Sequence, residues 1–141
     1  MKVFLDANIL ITVLNKEYPL FTSAARILSL ADNSRFQLYT SPLCLAIAFY
    51  FSGKKSGIVL AKKKISLLAS HISITKTDEI TVKQTIANKK INDFEDGLEY
   101  YSALDSGCKV IITEDAGDFY FSEIEVIDSN GFLKKYFSKN K

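Results

Sequence analysis

The segment Lys109-Val110-Ile111-Ile112-Thr113 has three β-branched residues in succession with no polar side chain among them, and this restricts the fold more than any other stretch. A strand with one face in water alternates apolar and polar residues. An unbroken apolar run is instead covered on both faces, as the central strands of a parallel sheet between helices are. Met1-Lys2-Val3-Phe4-Leu5 reads as a second buried strand, and Phe36 to Thr40, Ile72 to Ile74 and Glu125 to Ile127 as further ones. Between them the apolar residues recur every three or four positions, which predicts helices. These run from Ile9 to Leu14, Leu20 to Ala31, Pro42 to about Ser52-Gly53, Ser56 to Ser70, Glu79 to Asn88, Asp93 to Ser106 and Asn130 to Phe137. In the helix from Asp93, the residues Phe94, Leu98, Tyr101 and Leu104 are expected to face the core, and Gly107 to stop the helix. The alternation implies an α/β fold, a three-layer α/β/α sandwich with a central, mostly parallel sheet. One domain is expected over residues 1–137, followed by a short basic tail at 138–141.

Composition narrows the function by exclusion. The 141 residues carry eighteen basic and sixteen acidic side chains, a formal charge of +2, so no global field marks a polyanionic partner. Cys44 and Cys108 lie in apolar surroundings without the spacing of a metal knuckle or a disulfide framework, and read as reduced core thiols. The amino-terminal apolar run is interrupted by Asp6 and Asn8, and the stretch Leu43 to Phe51 is too short to span a bilayer. A cytoplasmic protein with no membrane partner is expected. His71 is the only histidine, and no serine stands in a Gly-x-Ser-x-Gly turn, so neither zinc chemistry nor a serine nucleophile is supported.

The carboxylates remain. Asp6 follows the first strand, Asp115 and Asp118 follow the strand that ends at Thr113, and Asp93, Glu95 and Asp96 open a helix. Taken singly, each has an ordinary explanation as a helix cap or turn residue. Two strand ends and a helix start would nevertheless deliver several carboxylates to one crevice, where like charges raise each other's pKa unless a cation compensates them. Oxygen donors of this kind select a hard divalent ion, Mg²⁺ or Mn²⁺, and a site of that type suits hydrolysis of a phosphodiester.

Four motifs in order carry a family resemblance: Val3-Phe4-Leu5-Asp6-Ala7-Asn8, Thr40-Ser41-Pro42-Leu43, Asp93-Phe94-Glu95-Asp96, and Ile111-Ile112-Thr113-Glu114-Asp115 with Asp118-Phe119. Together they resemble the PIN domain, and most closely its bacterial single-domain VapC-like toxin ribonucleases. The resemblance runs from residue 3 to about residue 133. It implies a metal-dependent endoribonuclease acting on single-stranded RNA, the toxin of a toxin–antitoxin pair, with a cognate antitoxin and a homodimer as partners. It implies Asp6, Asp96 and Asp115 as catalytic, metal-binding carboxylates, Asp118 and Asp93 as further metal ligands, and Asn8 and Thr113 as groups that orient them. One position departs from the family pattern. The helix after Thr40-Ser41 carries no acid, and Ala46 stands about where a glutamate is expected. This motivates a second reading, a catalytically impaired PIN-like module that binds RNA or protein. A third, a phosphoryl-transfer enzyme with Asp6 as nucleophile, resembles haloacid-dehalogenase-type phosphatases at this start, but Asn8 stands where those place a second aspartate.

Phosphate contacts are expected from the densest basic region, Lys54, Lys55, Lys62, Lys63 and Lys64, although lysine runs are commonly just solvated helix faces. Tyr100 and Tyr101, beside the acidic helix start, are candidates for stacking on bases.

Overall fold

In the computed structural model, which describes residues 1–137, the two apolar runs pair at the centre of one sheet. β1 (Lys2–Leu5) lies between β4 (Val110–Ile112) and β2 (Gln37–Thr40), with Val3 opposite Val110 and Leu38. β3 (Ser73–Ile74) extends the β2 side and β5 (Glu125–Ile127) the β4 side. The order is β3-β2-β1-β4-β5 and every pairing is parallel. Val3, Phe4, Leu5, Val110, Ile111 and Ile112 are all buried, which is why neither run contains a polar residue. The chain leaves β1 toward β2 and β3, then crosses to β4 and β5. The carboxyl ends of β1 and β4 therefore flank the point where the winding reverses, the place where open α/β sheets form a ligand crevice.

The helices are α1 (Ala7–Leu14), α2 (Phe21–Leu28), α3 (Pro42–Ser56), α4 (Ile58–His71), α5 (Glu79–Ala87), α6 (Phe94–Asp105) and α7 (Ser129–Phe137). They complete the expected three-layer α/β/α sandwich, with α1 packed on α2 and α3, α2 on α7, and α5 on α6. The expected tail at 138–141 lies outside the described residues.

Three boundaries differ from the sequence expectation. Helix α2 stops at Leu28 and tightens into a 3₁₀ turn at Ser29–Asp32. Helix α3 passes through Gly53 to Ser56, because Gly57, not Gly53, has the positive φ of 87° that breaks the helix before α4. The segment after Asp115, read as a loop, winds into a 3₁₀ turn at Ala116–Phe119. A larger correction concerns the rotation of α6. Its buried residues are Gly97, Glu99, Tyr100, Ser102 and Ala103; Tyr101 and Leu104, partly buried, pack against the core as expected, whereas Phe94 is 49% exposed and Leu98 is only partly buried. A close approach to α5 fixes this rotation. A Cβ on Gly97 would sit 2.4 Å from Thr85 Cγ2 and 3.0 Å from Ile91 Cγ2, so that face must present no side chain there.

Candidate metal centre

Asp6 is set at the end of β1 by three hydrogen bonds. Its backbone N–H donates to the Ile112 carbonyl at 3.0 Å, continuing the ladder to β4 by one residue. Its side chain then caps α1, with Oδ1 accepting from Ala7 N at 2.6 Å. Oδ2 accepts from the Thr113 hydroxyl at 2.7 Å, and the carboxylate is left 8% exposed. Thr113, fully buried at the end of β4, is itself held by a hydrogen bond from its N–H to the Ile127 carbonyl at 3.0 Å.

Asn8 and Thr113 tie Asp6 to Asp115. The Asn8 amide Nδ2 donates to Thr113 Oγ1 at 3.0 Å and to Asp115 Oδ2 at 3.1 Å, while Asn8 Oδ1 accepts from Glu114 N at 3.2 Å. Asp115 N donates to Thr113 Oγ1 at 3.1 Å. A single amide and a single hydroxyl thus fix two carboxylates from strands that are adjacent in the sheet but far apart in sequence.

The third arm is the start of α6. Asp93 is its N-cap, accepting from Asp96 N at 3.2 Å, so the capping explanation holds for Asp93. Asp96, one turn in, is pushed up from 3.8 to about 7 by burial first, and then by the charges of Asp93, Asp6, Asp118 and Glu95. Asp118, one of these charges, lies in the 3₁₀ turn, where its N–H donates to the Asp115 carbonyl at 3.0 Å. Hydrogen bonds through Thr113 and Asn8 thus join Asp6 to Asp115, and the charges of Asp93, Asp6 and Asp118 act on Asp96, while the group of ligand atoms within 4.8 Å of one another among the described residues is that of Asp6, Cys44 and Glu99. Glu114 turns away, its carboxylate accepting from Ser129 N at 3.2 Å and Ser129 Oγ at 2.6 Å to cap α7. A carboxylate raised to about 7 by burial and then by its acidic neighbours is in the environment a divalent cation relieves, and oxygen donors fit a hard ion. The residues present thus fit the expected metal.

Two groups here escaped sequence reasoning. Glu99 lies on the inward face of α6, 2% exposed, and its Oε1 has no hydrogen-bond partner. Burial, then a hydrogen bond to Asp6 and the Asp6 charge, push its carboxyl up from 4.5 to about 11. An unsatisfied buried polar atom of this kind costs about 1–3 kcal/mol. Cys44, in the first turn of α3, brings its thiol to 3.9 Å from Asp6 Oδ1. It arrives there because Thr40 Oγ1 donates to the Leu5 carbonyl at 2.8 Å, joining the end of β2 to the end of β1, and Ser41 then caps α3 through Cys44 N at 3.0 Å. Ligand atoms of Asp6, Cys44 and Glu99 lie within 4.8 Å of one another. Ala46, about where the family pattern places an acid, is exposed. The spacing Asp96 to Glu99, three residues on a helix, was the available signal, since it places both on one side.

The lysines of the basic region have different surroundings. Lys55 donates to the Asn15 carbonyl, and Lys64 to the Leu14 carbonyl at 2.9 Å, so these two ammonium groups satisfy the end of α1. Lys54 lies over the Tyr50 ring, 5.1 Å from its centroid, and Lys62 and Lys63 are exposed on α4. Tyr100 is not available for stacking: it is buried, packed edge-on against Phe121, and its hydroxyl accepts from Glu123 N at 3.1 Å. Tyr101 is partly buried and accepts from Asn88 Nδ2 at 3.0 Å.

A carboxylate crevice at the winding reversal of a five-stranded parallel sheet matches the family that the motifs resemble, and the chain belongs to the PIN domain family, whose model matches residues 2–117. The chain is 25% identical over 139 residues to Ribonuclease VapC1 of Aquifex aeolicus (strain VF5), an alignment covering 96% of this chain and 95% of that relative. Among solved structures it is similar to VapBC2 from Rickettsia felis bound to a DNA fragment from the promoter, with TM-score 0.69, 17% identity, and coverage of 91% of this chain and 98% of that one. It is also similar to VapC20 of Mycobacterium tuberculosis, a Sarcin-Ricin loop cleaving toxin, with TM-score 0.68, 14% identity, and coverage of 86% and 95%. At these identities the structural likeness establishes the fold.

Proposed function

We propose that the protein is a divalent-metal-dependent endoribonuclease that hydrolyses phosphodiester bonds of single-stranded RNA. The observation that carries this reading is the hydrogen-bonded link from Asp6 through Thr113 and Asn8 to Asp115 at the strand ends, together with Asp96, raised to about 7 by burial and its acidic neighbours. Membership of the PIN domain family and the likeness to a VapC ribonuclease support it. Asp6, Asp96 and Asp115 are the ligands we assign to Mg²⁺ or Mn²⁺, with Asp118 and Asp93 beside them. When bound, such an ion supplies an activated water and neutralises charge on the phosphoryl oxygens. The chain's own contribution is to hold the carboxylates in place before substrate arrives. Thr113 and Asn8 fix Asp6 and Asp115, and burial beneath the sheet ends keeps the bottom of the crevice poor in water. Lys54, Lys62 and Lys63 are the exposed cations of the predicted basic region that we assign to phosphate contacts, with Lys55 and Lys64 holding the end of α1.

The same reading makes the protein a cytoplasmic toxin with a cognate antitoxin and a homodimeric partner. Support comes from the VapBC2 neighbour and from Ile58, Val59 and Leu67, which α4 exposes at 66%, 75% and 64%. No helix among the described residues is long and apolar enough to cross a membrane. The competing reading, an impaired PIN-like binding module, is favoured by one observation, that α3 brings Cys44 and no acid to the crevice. Incubating the purified protein with single-stranded RNA and Mn²⁺ or Mg²⁺ separates the two. Cleavage that chelator removes and that Asp6→Asn abolishes with the fold intact is expected. Equal cleavage by wild type and Asp6→Asn sinks the nuclease assignment.

A further inference from the structure

We propose that Glu99, from the second turn of α6, is a metal ligand that supplies the carboxylate missing from α3 and completes a cation site with Asp6 and Asp96. The proposal rests on the nuclease reading above. It begins with geometry: ligand atoms of Glu99, Asp6 and Cys44 fall within 4.8 Å of one another, so one ion can reach them with small side-chain adjustments. Glu99 is 2% exposed and its Oε1 has no partner in the protein, so one oxygen of the carboxyl beside Asp6 is left free to bind an ion. Helix α3 approaches the same point only through Cys44, and position 46 lies two residues on, about 200° around the helix and facing water. A hard ion prefers carboxylate oxygen to a thiol, which selects Glu99 over Cys44 as the third donor.

The backbone arrangement is built to bring Glu99 there. Asp96 and Glu99 are three residues apart on α6 and so project to one side. Gly97 between them lets α6 lie against Thr85 and Ile91, which rotates that side toward the end of β1. The family's donor from α3 is thus replaced by one from a different helix, α6, whose Glu99 would reach the same ion.

Mn²⁺ binding to the RNA-free protein, followed by electron paramagnetic resonance or calorimetry, tests this without any activity readout. Glu99→Gln keeps the side-chain shape and a donor toward Asp6 while removing the anionic ligand, so a purely positioning role would leave the affinity unmoved. Affinity weakened about tenfold or more, with the metal-free melting temperature no lower than wild type, is the expected result. An affinity within about twofold of wild type, while Asp6→Asn loses binding, overturns the Glu99 assignment and leaves the metal-site reading standing. Wild-type protein that takes up no Mn²⁺ overturns both. Should Glu99→Gln fail to fold, wild-type crystals soaked in Mn²⁺ decide the matter. An anomalous peak at bonding distance, about 2.2 Å from a Glu99 oxygen, supports the proposal, and a peak coordinated by the aspartates without Glu99 refutes it.

Discussion

Glu99→Gln also isolates one proton in the pH dependence of stability of the metal-free protein. In the fold, burial and the neighbouring Asp6 raise the Glu99 carboxyl from 4.5 to about 11, so the folded chain keeps a proton that the unfolded chain releases above about 4.5. A raised pKa contributes stability that is fully present below the unfolded value and is lost as pH climbs through the folded one. Stability must therefore fall with rising pH throughout this window, by 2.303RT per pH unit for one proton, about 1.4 kcal/mol. From about pH 5.5 to about pH 7.5 this amounts to roughly 3 kcal/mol. For a domain of 141 residues it corresponds to roughly 8–10 °C in melting temperature. Asp96, raised to about 7, adds a contribution of the same sign from about 3.8 upward, but it is present in both proteins and largely cancels in the comparison. Urea unfolding in EDTA at several pH values across that range measures both slopes. Wild type should lose about 1.4 kcal/mol per pH unit more than Glu99→Gln. Saturating Mn²⁺ should flatten or invert the wild-type slope, because ligands must give up their protons to bind a cation. Parallel metal-free slopes would mean that Glu99 ionises alike in both states and is not a neutral acid held against Asp6.

Three further outcomes follow from the geometry. Gly97→Ala gains about 1 kcal/mol of helix propensity but drives a methyl against Thr85, whose hydroxyl donates to the Thr81 carbonyl and so pins its rotamer. The overpacking costs about 1–3 kcal/mol, and Mn²⁺ affinity should fall more than stability does; adding Thr85→Ala should restore the affinity, and calorimetry on the two variants checks both. Thr113→Val keeps the shape but removes the donor to Asp6 and the acceptor for Asn8 and Asp115, so stability should drop by about 1–3 kcal/mol in urea melts and RNA cleavage should fall about tenfold or more. Ala46→Glu should leave Mn²⁺ affinity unchanged within about twofold, since the new carboxylate faces water across the helix from Cys44, and a marked gain would show that α3 turns in solution.

The sheet and most of the centre were readable from residue type alone because both obey strong local rules. A strand buried on both faces has to be uniformly apolar, as Val3-Phe4-Leu5 and Val110-Ile111-Ile112 are, and polar residues immediately after such strands fall at the crevice. Asp6 and Asp115 are found in this way, Asn8 and Thr113 come from the family resemblance, and the four are joined by hydrogen bonds in the fold. Gly107, with φ of 85°, stops α6 as its position implied.

What stayed hidden depended on which side of a helix turns inward, and α6 shows why. Apolar periodicity assigns Phe94, Leu98, Tyr101 and Leu104 to the core because it counts side chains that gain from leaving water. The first half of this helix instead borders a polar crevice and a close helix contact, so its inward positions are Gly97 and Glu99, and Phe94 is left exposed. A glycine forced by the packing against Thr85 and a glutamate without a partner contribute nothing to a hydrophobic stripe, and both are invisible to a method that looks for one. The pairing of Asp96 with Glu99 three residues on lies in α6, whereas the family pattern places the further acid on α3. A helix whose apolar stripe is interrupted by an acid at ligand spacing from another acid should accordingly be rotated so that the two carboxylates, and not the aromatics, define the inner face. Applied to residues 94–105, that rule brings Glu99 and Tyr100 inward together and turns Phe94 out, as the fold has them.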